Sequence, residues 1–121
     1  MSDAVAVVRD LVFSSKIIGT GRALGVDVQA VTALDALEGV LAEGEVRLVI
    51  VDMSLPEGLA TQSLQRAAAH PSAPERLAFY SHVHAELAEA AEAAGATMMM
   101  HRSTFSAELP DVLKRFGPRS S

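Results

Sequence analysis

Four consecutive apolar residues, Leu48-Val49-Ile50-Val51, run straight into an aspartate, Asp52. An unbroken run this rich in β-branched side chains predicts a strand covered on both faces, because a strand with one wet face alternates apolar and polar residues. Covering both faces requires helices on both sides of a sheet, and those come from crossovers between parallel strands. The remainder of the chain supplies the crossovers. Residues 4–8 predict a buried first strand. Residues 11–24 predict a helix with Phe13, Ile17, Gly21 and Leu24 on one face and Gly25 as its stop. Gly21 falls on the inner face, where a small residue allows close helix–sheet packing. Val26, Val28 and Ala30 alternate with polar residues, which predicts a strand nearer the sheet edge. Thr32 is placed to cap a second helix that buries Leu34, Leu37 and Leu41 and ends at Gly44.

The second half repeats the pattern. Ser54-Leu55-Pro56-Glu57-Gly58 reads as a turn, and a third helix runs to about Ala69 before His70-Pro71-Ser72-Ala73-Pro74 breaks it. Residues 77–80 predict a fourth strand, residues 85–94 an alanine-rich helix stopping at Gly95, and residues 97–100 a short fifth strand. Leu109, Val112, Leu113 and Phe116 sit at i, i+3, i+4 and i+7 and predict a last helix. Five β/α pairs define the expected fold. It is an α/β, doubly wound, five-stranded parallel sheet in a flavodoxin-like (βα)5 three-layer sandwich, with the first strand inside the sheet. One domain accounts for residues 1–121, with a core of about 4–116 and a flexible tail at 117–121.

Charge and composition narrow the function. A net charge of −5 over 121 residues, with no basic run longer than Lys114-Arg115, argues against a nucleic-acid partner. The absence of cysteine excludes disulfides and thiolate metal sites and suits the cytoplasm. Met1-Ser2-Asp3 lacks the basic and apolar segments of a signal peptide, and the apolar stretches are too short to span a membrane. The expectation is a cytoplasmic chain with no membrane partner.

Ligands of such sheets bind beyond the carboxyl ends of the strands. Those positions hold Arg9 and Asp10 after the first strand, Asp52 after the third, Ser81 and His82 after the fourth, and His101 and Arg102 after the fifth. With Val49-Ile50-Val51-Asp52-Met53-Ser54-Leu55-Pro56, Gly58 and Gly95-Ala96, the chain resembles the receiver domain of two-component response regulators from about Ala4 to Phe116. The resemblance implies that Asp52 accepts a phosphoryl group from a histidine kinase or a phosphotransfer protein. It implies that Asp10, Asp52 and a carbonyl near Ser54 hold Mg²⁺; with Arg9 in place of one expected acid, the expectation is weak or absent binding in the resting state. It assigns the family's hydroxyl residue to Ser81 and its lysine to Arg102. It also implies a downstream protein partner, docked by the last strands and helices, with homodimerisation as a further option. The chain is then a stand-alone signalling module and not an enzyme.

The sequence departs from the family at the edge of the site. Arg9 stands where the family has an acid, Ser103 where a proline is common, and Met99 where an aromatic switch residue often lies. A +1 charge about 5 Å from Mg²⁺ would cost roughly 6–7 kcal/mol at an effective dielectric of ~20. Arg9 therefore either swings to solvent or pairs with Asp10 or Asp52 in the metal's place. Two carboxylates in one pocket draw in a cation. That cation is Mg²⁺ in the phosphorylation reading. It is Arg9 or Arg102 in the alternative, a phosphorylation-independent pseudo-receiver used for protein binding or dimerisation.

Plainer roles stand beside these. Asp52 also suits a turn, and Asp10 a helix cap. His82, His84 and His101 match no compact zinc spacing, and Met98-Met99-Met100 reads as core strand. Gly19-Thr20-Gly21-Arg22-Ala23-Leu24-Gly25 looks like a dinucleotide fingerprint but falls within a helix rather than opening one. A small flavodoxin-like enzyme or nucleotide binder would need a phosphate-cradling glycine loop after the first strand, and Arg9-Asp10-Leu11-Val12 is not one.

Overall fold

The computed structural model describes residues 2–56 and 58–116. The expected tail at 117–121 lies outside the described residues, as does Glu57 of the turn. The chain alternates β1 (Ala4–Val7), α1 (Leu11–Leu24), β2 (Val28–Val31), α2 (Leu34–Leu41), β3 (Leu48–Asp52), α3 (Leu59–Ala69), β4 (Glu75–Tyr80), α4 (Glu86–Ala93), β5 (Met98–His101) and α5 (Arg102–Lys114). All pairings are parallel, in the order β2-β1-β3-β4-β5. β1 and β3 are adjacent at the centre, with Val7 opposite Val51.

Strand alternation sorts the apolar residues into two cores. Leu48 and Ile50 face α1 and α5 with Ala4, Ala6, Leu77 and Phe79. Val49 and Val51 face the α2, α3 and α4 side with Val5, Val7 and Ala78. Both faces of β3 are thus covered, as its unbroken apolar run requires. Under α1 and α5, Phe79 stacks on Phe105 at 4.9 Å and meets the edge of Phe13 at 5.1 Å. Such a cluster adds about 0.5–1.5 kcal/mol per pair beyond its burial.

Gly21 packs α1 onto β2 so closely that a Cβ would come within 2.7 Å of the Val26 carbonyl oxygen. Gly25 ends α1 in the left-handed region at φ 77°. Gly19 and Gly21 lie inside α1, so the glycine-rich segment is helix and cradles no phosphate.

Several expected boundaries shift. The cap position of α2 is Ala33, without a side-chain cap bond, because the chain stays extended one residue beyond Thr32. Thr32 instead offers its carbonyl to Arg9. β4 begins two residues before the apolar run, since Glu75 and Arg76 pair through their backbones with Leu48 and Val49. β5 begins after Thr97, whose hydroxyl accepts from Arg76 N at 2.8 Å. The three methionines are not uniformly core. Met98 and Met100 pack against the α1–α5 side, while Met99 is exposed on this edge strand. Among the described residues no helix is long and apolar enough to cross a membrane.

Candidate functional site

Asp52 is the last residue of β3, opposite Phe79 of β4, and is buried. Its Oδ1 accepts from the Ser54 amide at 2.9 Å and the Ser54 hydroxyl at 2.7 Å. This is a side-chain-closed turn of the kind aspartate favours. It uses one carboxylate oxygen. Among the described residues no donor meets Oδ2 and no cation pairs with Asp52. The turn role and the ligand role are therefore compatible, each with its own oxygen.

Asp10 follows β1 and caps α1, its Oδ1 accepting from Val12 N at 2.9 Å and Phe13 N at 3.1 Å. Its Oδ2 accepts from Arg102 Nη2 at 3.1 Å. The Phe13 amide first, then the Val12 amide and Arg102, hold this carboxyl below the usual carboxylate range, against a smaller opposing effect of desolvation than these together. The cap role anticipated for Asp10 is real, and it leaves the second oxygen to a cation.

That cation is not Arg9. Arg9 is exposed and turns its Nε to the Thr32 carbonyl at 3.4 Å. Of the two expected outcomes, the structure shows the one in which Arg9 leaves the acids. Arg102 takes the place. It is the first residue of α5 and follows β5 without a loop, so its root is fixed by both elements. Its guanidinium lies 4.5 Å from the centre of the Phe13 ring and 5.9 Å from that of Phe79. A cation over an aromatic face adds about 0.5–1 kcal/mol at an exposed site.

Ser81 is half-buried after β4 and shares an open cavity of ≈ 400 Å³ with Phe13, His82, Arg102, Ser103 and Ser106. Lys16 Nζ also donates to Ser106 Oγ. The structure thus brings together Asp10 with Arg102, Arg102 with Ser81 around the cavity, and Asp52 with Ser54. The histidines do not form a metal centre. His82 and His101 approach only ring to ring at 6.3 Å, and among the described residues no three His, Cys, Asp or Glu side chains converge on one point. Tyr80, not a residue of β5, supplies the aromatic at this edge, 5.0 Å from His101. Phe13 is the site residue that sequence reading assigned only to the core. The signal was its place three residues after the capping Asp10.

Asp10, Asp52 and the Ser54 carbonyl offer the hard oxygens that Mg²⁺ accepts while keeping several waters. In donor chemistry these oxygens fit such an ion, and Asp10 Oδ2 is engaged by Arg102.

Five parallel strands in this order, with five helices on the two faces, are the fold of response-regulator receiver domains. Among solved structures the chain is similar to the receiver domain of a sensor histidine kinase from Pseudomonas aeruginosa, described with a magnesium ion coordinated in the active site cleft. Identity is 18%, coverage 93% of this chain and 94% of that one, and the TM-score 0.77. It is also similar to the receiver domain of NtrX from Brucella abortus, at 17% identity, 93% and 95% coverage and a TM-score of 0.78. A response regulator from Thermotoga maritima matches at 16% identity, 96% and 98% coverage and a TM-score of 0.75. No protein-family model and no curated protein sequence matches the chain.

Proposed function

We propose that the chain is a signal-transduction receiver module that accepts a phosphoryl group on Asp52. The donor is a histidine kinase or a phosphotransfer protein, and the signal passes on by docking to a downstream protein. The observation that carries the reading is the state of Asp52. It is a buried carboxylate at the carboxyl end of a central strand, with one oxygen held by the turn and the other unengaged among the described residues. That oxygen attacks the phosphorus of a phosphohistidine, the P–N bond breaks with the imidazole as leaving group, and an acyl phosphate forms. Charge on the transferring group needs neutralising. Mg²⁺ held by Asp10, Asp52 and the Ser54 carbonyl suits that task, and the magnesium of the Pseudomonas relative supports it. In this reading Ser81 donates a hydrogen bond to the phosphoryl group and Arg102 pairs with its oxygens.

Docking falls on the last strands and helices in this reading. Val83, between β4 and α4, and Met99, on β5, are large apolar side chains exposed on that side. The chain is then an acceptor and docking module rather than an enzyme, and a cytoplasmic location belongs to the same reading.

The test is intact mass after incubation with a small phosphodonor and Mg²⁺. Wild type is expected to gain about 80 Da, and Asp52→Asn to gain nothing. Equal gain in both overturns the assignment of Asp52. No gain in either favours the phosphorylation-independent pseudo-receiver, to which the Asp10–Arg102 ion pair also lends support.

A further inference from the structure

We propose that the cavity between α1 and α5 binds the phosphate group of a small organic molecule, held by Lys16, Ser103 and Ser106. Neither Asp52 nor Ser54 lines this cavity, so the site is separate from the proposed phosphoacceptor and stands without it.

The chemistry of the wall carries the inference. Ser81, His82, Arg102, Ser103 and Ser106 line the cavity with Phe13, and among the described residues no acid does. A wall of donors runs against the net charge of −5 that the chain carries. Lys16 reaches the same rim from α1 and donates to Ser106 Oγ. That bond leaves the hydroxyl hydrogen of Ser106 and the remaining ammonium hydrogens of Lys16 free to donate. Among the described residues the hydroxyls of Ser81 and Ser103 make no hydrogen bond. One N–H of Arg102 goes to Asp10, and its other guanidinium hydrogens stay available. The end of α5 adds to the set. His101, its cap residue, makes no side-chain cap bond, so no side chain satisfies the first-turn amides. Such a helix end favours negative charge.

The same set selects the ligand class. Donors arrive from α1, from the end of β4 and from α5. Three directions suit a tetrahedral group with three terminal oxygens, whereas a planar carboxylate is satisfied by two parallel donors. The cavity holds ≈ 400 Å³. That exceeds what bare inorganic phosphate fills and lies in the range of small-molecule sites, roughly 300–1,000 Å³. An organic body therefore accompanies the phosphate, with Phe13 as its apolar contact. Lys16 and Ser103 are exposed and the cavity is open, so binding is modest and weakens with salt.

The test titrates the full chain, labelled with ¹⁵N and kept in chelator, with phenyl phosphate, and follows the backbone amide resonances. Benzoate and inorganic phosphate are titrated beside it. Phenyl phosphate is expected to saturate below about 10 mM and to shift the amides of Lys16, Ser81, Ser103 and Ser106 first. Benzoate and inorganic phosphate should each bind at least about threefold more weakly. Lys16→Gln should weaken phenyl phosphate roughly fivefold. Ser103→Asp puts a carboxylate into the wall and should abolish binding, while an acid in the first turn of α5 keeps or raises the melting temperature. Asp52→Asn should bind as wild type does, which separates this site from phosphoryl uptake. No saturation in the wild type overturns the proposal. So do unchanged affinity in Lys16→Gln or Ser103→Asp, loss of binding in Asp52→Asn, and first shifts elsewhere in the chain. Benzoate binding as tightly as phenyl phosphate overturns the phosphate assignment, and inorganic phosphate doing so overturns the organic body.

Discussion

Arg102 and Asp10, 92 residues apart in the chain, meet at 3.1 Å between Nη2 and Oδ2. The contact ties the start of the last helix to the residue that caps the first. It joins the two helices that cover the same face of the sheet, and Arg102 also borders the cavity that Ser81 lines.

Asp10, capping α1 and paired with Arg102, makes stability depend on pH in a defined direction. Asp10 is held below its ordinary value by the Phe13 and Val12 amides and by Arg102. A carboxyl depressed in the folded state contributes stability above its unfolded value, and that contribution is lost as pH falls through the folded value. Asp10→Asn keeps an amide oxygen for the cap and loses the charge. Wild type should therefore melt above Asp10→Asn at pH 7, and the gap should shrink steadily as pH drops below about 4. A gap that stays constant down to pH 2 would contradict the assignment.

Two glycines of one helix should respond in opposite ways to alanine. At Gly21 a Cβ meets the Val26 carbonyl oxygen at 2.7 Å and Val28 Cγ2 at 2.8 Å, so Gly21→Ala is expected to destabilise by about 1–3 kcal/mol. At Gly19 nothing lies within 4 Å, so Gly19→Ala should stabilise by up to about 1 kcal/mol through helix propensity. Denaturant unfolding of both variants checks the contrast.

Asp52 gives a third expectation. Both bonds from Ser54 end on Oδ1, and among the described residues no cation pairs with the carboxylate. Asp52→Asn retains an acceptor oxygen and should leave the unfolding free energy within about 0.5 kcal/mol of wild type. Asp52→Ala leaves the turn unclosed and should cost about 1–3 kcal/mol. A large loss in the asparagine variant would mean that the charge itself holds the structure.

The edge strand offers a fourth. Met99 points outward and Met100 packs against the α1–α5 core. Met99→Lys should change stability by less than about 0.5 kcal/mol, whereas Met100→Lys should cost more than about 2 kcal/mol. Similar losses would indicate a different register for β5. Capture of partners should respond in the reverse order if Met99 lies on the docking face.

The order of strands and helices was readable from period alone, because burial on both faces leaves an unbroken apolar run and burial on one stripe leaves a 3.6-residue repeat. Gly21, Gly25 and the capping Asp10 were legible for the same local reason: a turn or a close approach restricts its residue within a few positions. The place of Asp52 at the carboxyl end of a central strand was legible because the unbroken apolar run before it marks that strand. Backbone pairing at Glu75 and Arg76 was hidden, since a hydrogen-bonded main chain leaves no mark on side-chain pattern. The placement of two arginines was hidden as well. Arg9 follows β1 next to an acid, yet the end of β2 offers it the Thr32 carbonyl and draws it away. Arg102 is distant in sequence, yet β5 and α5 carry it onto Phe13 and Asp10. The sequence by itself determined the layers, the cores and which residues crowd the strand ends. Only the tertiary structure decided which cation meets which acid, because long charged side chains go to whichever acceptor and aromatic face the packed elements bring within reach.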